Sequence, residues 1–159
     1  MKSKLISLDS PCRAGPAERR TMWQALSHWN SLRHDSGPPL IHGLDPGEDP
    51  ELSPHLFVLT LHHRLGESRF TYCGAQLAHL IKGDPTGQSL NGSLPGRMAQ
   101  QMVEFLKGAV QYRQPIADAG SLLNGDGTEM LYRNVLMPMI GDSGLVEHVF
   151  GCFSYCIVG

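Results

Sequence analysis

Between Leu52 and Leu90 the spacing of apolar residues switches from a strand period to a helix period within a few residues, and only a small set of folds accommodates that switch. Two apolar runs, His55 to His63 and Arg69 to Cys73, are joined by a short loop containing Gly66, a pattern that predicts an antiparallel hairpin. Ala75, Leu77, Ala78, Leu80 and Ile81 then suit a short helix, with Gly83 placed to stop it in a left-handed conformation, and a polar turn follows from Asp84 to Gly87. A short loop spans Asn91 to Gly96. From Arg97 to Arg113 the helical pattern is the strongest in the chain. Met98, Met102, Phe105, Leu106 and Ala109 fall on one face, widened by Val103 and Val110.

The remaining third reads as strands. Gln114 to Asn124 leads into the turn Asn124, Gly125, Asp126, Gly127, a strong hairpin signal. Along the next strand, Glu129 to Ile140, the side chains of Met130, Tyr132, Asn134 and Leu136 alternate against those of Leu131, Arg133, Val135 and Met137. After the turn at Asp142, Ser143 and Gly144, a last strand runs from Val146 to Val158. The predicted fold is therefore α+β: a five-stranded antiparallel sheet with helices on one face, preceded by an amphipathic N-terminal helix.

Upstream, residues 1–15 read as a loosely ordered polar tail and 16–35 as the helix. Residues 36–51 read as a Pro- and Gly-rich linker that lets the helix take its own orientation, and 52–158 as the main domain. Met22, Leu26, Trp29 and Leu32 or Arg33 share one face of the helix, and Trp23 broadens it. That face either packs on the domain's own sheet or forms a dimer or partner surface through Trp23, Leu26 and Trp29; the two are compatible.

Order more than any single motif carries a resemblance. Hairpin, short helix, Gly83-Asp84, Thr86-Gly87, long helix and three strands resemble a PAS domain. More narrowly, Leu44-Asp45-Pro46 followed by Pro54-His55-Leu56-Phe57 resembles a proteobacterial single-domain PAS-like family with an N-terminal helix, over about Trp23 to Tyr155. The resemblance implies a cavity for a small, mostly apolar ligand closed by the long helix, and a signalling role that reports to a partner protein, since the chain lacks kinase, cyclase or helix-turn-helix segments; the tryptophan-bearing helix makes a homodimer the expected state, and the cysteine usage with no signal core makes the cytoplasm the expected place. The residues placed at such a ligand pocket are Tyr72, His79, Met98, Met102, Phe105 and Tyr132. Equally, a methionine-rich helix face can be plain core. Arg133, Asn134 and Ser154 also interrupt the apolar strands. A buried polar group needs a partner, which a ligand can supply, but Arg133 and Asn134 can instead lie on the opposite face.

Other chemistries find little support. The net charge of -2 comes with no basic run, which disfavours direct nucleic-acid binding. No segment is long and apolar enough to span a membrane. The four cysteines do not form a framework: Cys152 and Cys156, four apart on a strand, sit roughly 13 Å from each other, so neither a disulfide nor a shared metal joins them, and the reading is of a reduced protein. Among eight histidines, His62 and His63 as strand neighbours would point to opposite faces and share no ion. His79 is off the helix that supplies a haem ligand in such domains, and Cys73 lacks the flavin-attachment motif of light sensors, so haem and flavin are both disfavoured. Neither a phosphate-cradling glycine loop nor a Gly-x-Ser-x-Gly elbow is present, so no catalytic residue and no metal ligand is assigned.

Overall fold

The computed structural model describes residues 16–123 and 126–158. The tail reading falls outside these residues, as does the first half of the turn at Asn124. Helix α1 (Pro16–Ser31) precedes strands β1 (Leu56–Thr60) and β2 (Arg69–Cys73), helices α2 (Ala75–Ile81), α3 (Leu90–Ser93) and α4 (Gly96–Tyr112), and strands β3 (Ile116–Leu123), β4 (Glu129–Ile140) and β5 (Val146–Ile157). The strands form one antiparallel sheet in the order β2-β1-β5-β4-β3. First and last strands of the chain's two halves thus meet at the centre, where β1 pairs with β5.

Both faces of the sheet are covered, each by a different helix. On the inner face Met98, Met102 and Leu106 of α4 pack with Phe57, Leu59, Tyr132, Leu136 and Phe153. On the outer face Met22, Ala25 and Trp29 of α1 pack with Val58, Val135, Met137, Met139 and Phe150. This second layer explains the burial along β4. Its first half alternates, with Leu131 and Arg133 only half-buried, whereas from Asn134 to Met139 every residue is buried because α1 lies over the outer side. Burying such side chains stabilises the fold by about 25 cal/mol for each Å² of apolar surface removed from water. At the centre, Gly151 lies opposite Phe57 on β1 and Leu136 on β4. A Cβ there would collide with the Phe57 ring, so only glycine admits that ring.

Several local expectations are corrected. The left-handed residue ending α2 is Lys82, at φ 61°, not Gly83; the chain reverses one residue early, and Gly83 instead donates its N–H to the Ala78 carbonyl at 3.0 Å. The predicted loop at Asn91 contains a helical turn, α3, whose start is capped by the Ser89 hydroxyl accepting from the Gly92 N–H at 3.0 Å. Strand β1 stops at Thr60, so His62 and His63 leave the pleat, and their rings stack with centroids 4.2 Å apart rather than facing opposite ways.

The linker does not leave α1 free. The Ile140 N–H donates to the Pro39 carbonyl at 2.9 Å, Leu40 bridges Ile140, and His42 Nε2 meets Asp142 Oδ1 at 2.8 Å. Cys73 is a free thiol while Cys156 is disulfide-bonded, against the reduced set that sequence predicts.

Candidate functional site

The inner face between α4 and the β3–β4 pair concentrates polar groups in an otherwise apolar layer. Alternation puts Tyr132, Asn134 and Leu136 on this face, and the register sets Asn134 directly opposite Asp118 of β3 on one side and Phe153 of β5 on the other. From α4, Gln101 reaches down: its Nε2 donates to Asp118 Oδ1 at 2.6 Å and to the Ala119 carbonyl at 3.2 Å. Burial pushes the Asp118 carboxyl above its ordinary range, and hydrogen bonds from the Gln101 side chain and the Ala119 backbone only partly offset this. Burial likewise raises the Tyr132 hydroxyl, with the nearby Asp118 charge adding to the effect.

Tyr132 lies flat against Phe153, with ring centroids 5.8 Å apart and an interplanar angle of 27°. Its hydroxyl passes over Gly120 of β3, where a Cβ would stand 2.6 Å from the oxygen, so glycine makes room for the phenol. Asn134 is 1% exposed, and neither its Oδ1 nor its Nδ2 has a hydrogen-bond partner in the protein. An amide held this way costs about 1–3 kcal/mol until a guest, whether water or a ligand's polar group, completes its bonding. What the arrangement offers chemically is a donor and an acceptor from Asn134, flanked by the Asp118 carboxyl, above aromatic and thioether walls.

Of the residues that sequence places at a pocket, Met98, Met102 and Tyr132 do come together in this layer, with Phe105 packed at its margin. Two do not join them. Tyr72 is on the outer side, because a register shift in the β1–β2 ladder pairs Leu59 with Phe70 but Val58 with Tyr72. The extra residue, Thr71, turns Tyr72 over to the Val58 face. There its hydroxyl meets Ser53 and donates to the Ser53 carbonyl at 3.2 Å. His79 is exposed, since α2 buries Leu77 and Leu80 instead.

Arg133 and Asn134 cannot share the opposite face, as they alternate: Arg133 is outward and Asn134 inward. Sequence assigns neither Gln101 nor Asp118 to a site, the acidic stretch from Asp118 to Glu129 reading as turns, although the even-numbered alternation of Asp118 with Gly120 and Leu122 along a predicted strand is a usable signal.

The predicted partner surface on α1 is divided. Trp29 is 3% exposed and its indole Nε1 donates to the Pro138 carbonyl at 2.8 Å, so it belongs to the outer core, with Leu26 half-buried beside it. Trp23 is 68% exposed. Among the described residues no three His, Cys, Asp or Glu side chains are grouped to hold a metal ion, and no helix is long and apolar enough to cross a membrane.

No curated protein matches the chain. Among solved structures it is similar to a PAS domain of a protein from Colwellia psychrerythraea, at 14% identity over 62% of this chain and 82% of that one, with a TM-score of 0.46. It is similar also to the N-terminal domain of a diguanylate cyclase with PAS/PAC sensor from Marinobacter aquaeolei, at 20% identity over 62% of this chain and 92% of that one, with a TM-score of 0.44. The light-state structure of the blue-light photoreceptor Aureochrome1 LOV is a third, at 11% identity over 65% of this chain and 81% of that one, with a TM-score of 0.47. The sequence itself matches the PAS domain family over residues 17–154, from α1 to β5, and the chain belongs to that family.

Proposed function

We propose that the chain is a sensory module that holds a small, mostly apolar ligand between α4 and the sheet and relays its presence to a partner protein. One observation carries this reading: the Asn134 amide, buried in the inner layer and without a partner. An unsatisfied amide opposite a buried carboxyl that Gln101 already engages is a poor way to fill a core and a good way to orient a guest. Met98, Met102 and Phe105, in the same inner layer, supply adaptable apolar contact.

Native mass spectrometry of the purified chain, followed by denaturing extraction, tests the proposal when Asn134→Leu is run beside the wild type. A small molecule released from the wild type and absent from the variant supports the reading. A bare mass from both, with the variant more stable, removes it.

A second reading, a ligand-free interaction or dimerisation adaptor, is favoured by Trp23, an indole two-thirds exposed on the helix that covers the outer face. Loss of partner binding or self-association in Trp23→Ser, with no change in ligand content, is its signature.

A further inference from the structure

The sulfur of Cys156, near the end of β5, is held in a disulfide. Exclusion identifies its other half among the four cysteines of the chain. Cys73 is a free thiol packed against the inner core. Cys152 is on the same strand as Cys156, and the β4–β5 ladder runs unshifted from one to the other. Their Cα atoms are therefore roughly 13 Å apart, whereas a disulfide spans at most about 7 Å. Cys12, ahead of α1, is the cysteine that remains.

The direction of α1 puts Cys12 within reach. Trp29, near the end of the helix, bonds the Pro138 carbonyl, and the His28 ring stands 6.1 Å from that of Phe150, which lies opposite Met137. Four residues before His28, Gln24 shares a cleft with Leu56, whose neighbour Cys152 lies opposite Val135. The helix thus runs from the beginning of β4 towards its end. Pro16 starts α1 eight residues before Gln24, a distance of about 12 Å along the helix. At about 3.3 Å per strand residue, that is the level of Leu131, which pairs with Cys156. Parity keeps Leu131 and Cys156 on the outer face, in line with Val135 and Cys152. The four residues from Cys12 to Pro16 span up to about 14 Å, enough to close the bond.

We infer that Cys12 and Cys156 form this disulfide, that residues 1–15 are thereby strapped to the outer face beside Leu131, and that the bond is a redox latch on the start of α1. A small dithiol opens it. One thiolate of the dithiol attacks a sulfur of the pair, forming a mixed disulfide and releasing the other cysteine, whose thiolate takes up a proton; the second thiol then displaces the first cysteine. The reductant ends as a cyclic disulfide, both cysteines end as thiols, and glutathione disulfide reverses the two-electron step. Opening leaves α1 held by its packing alone, through Met22, Ala25 and Trp29, and frees the segment ahead of it. None of the groups around Asn134 takes part, so the latch stands whether or not a ligand is held within.

Peptide mass spectrometry of the full chain tests the bond, after equilibration with glutathione disulfide, alkylation in denaturant and digestion without reductant. A peptide pair joining Cys12 to Cys156, with Cys73 alkylated, is expected, and dithiothreitol should separate it. Hydrogen exchange then reads the latch. Reduction should speed exchange in the first turns of α1 about tenfold or more while the centre of the sheet stays protected. Cys156→Ser should exchange as the reduced wild type does, whether or not reductant is present. Cys12→Ser, which leaves β5 untouched, should do the same. Recovery of both Cys12 and Cys156 as alkylated thiols after oxidation overturns the proposal, as does Cys156 joined to any other cysteine or to a second chain. So does a linked pair whose reduction leaves α1 exchange unchanged.

Discussion

Asp118 and Asn134 face each other across the β3–β4 ladder, yet only Asp118 has a hydrogen-bonding side chain reaching it, from Gln101 at 2.6 Å. The asymmetry makes Asn134 the most informative position in the molecule. Asn134→Leu replaces an unsatisfied amide by an apolar side chain of similar size. In protein freed of any guest the variant should gain about 1–2 kcal/mol, read as a rise in Tm. A loss of stability there would mean that the amide is satisfied in solution in a way the core depends on.

Asp118 gives a pH dependence with a definite sign. Its carboxyl is raised in the folded chain above its ordinary 3.8, mainly by burial. Between the unfolded and folded values the folded state holds a proton that the unfolded state has lost, so stability falls as pH rises through that window and levels off above it. Its contribution is fully present below the unfolded value. Thermal melts of the wild type and Asp118→Asn across mildly acidic to neutral pH should show the variant gaining relative to the wild type as pH rises. Parallel curves would sink the prediction.

The two tryptophans of α1 should behave oppositely. Trp29→Phe leaves the Pro138 carbonyl, a buried acceptor, without the indole N–H that reaches it at 2.8 Å, and should cost about 1–3 kcal/mol in denaturant unfolding. Trp23→Ser, at a residue 68% exposed, should shift the isolated monomer's midpoint by less than about 0.5 kcal/mol.

Cys73 should be a slow thiol. Burial, with the Asp84 charge adding, pushes its pKa from 9.0 up to about 12. Since the thiolate is the nucleophile, alkylation by iodoacetamide near pH 8 should be roughly a thousandfold slower in the folded chain than in denaturant. Peptide mass spectrometry following the Cys73 fragment measures it. Equal rates would place the thiol in water.

Which features are legible in the chain and which are not follows a physical pattern. The methionine face of α4 was legible because helical spacing fixes which side chains point together, and Met98, Met102 and Leu106 are all buried against the sheet. Strand parity likewise placed Tyr132 on the inner side, and applied consistently it would have placed Asn134 there too. Tyr72 was misplaced because a single inserted residue in β2 reverses the faces beyond it, and nothing in Arg69 to Cys73 marks the shift. His62 and His63 were misjudged because strand propensity runs on past Thr60, where pairing stops.

The sequence by itself determined the five strands, helices α1, α2 and α4 and their order, since period, turn residues and strand alternation are local properties of neighbouring side chains. Tertiary structure alone decided what those elements meet. It chose α1 rather than solvent or a partner as the cover for Val135, Met137 and Met139, and it divided Trp29 from Trp23. It also brought Gln101, Asp118 and Asn134 together from three separate elements. Which polar group finds a partner and which is left without one depends on distances between residues far apart in the chain, and no local pattern encodes those distances.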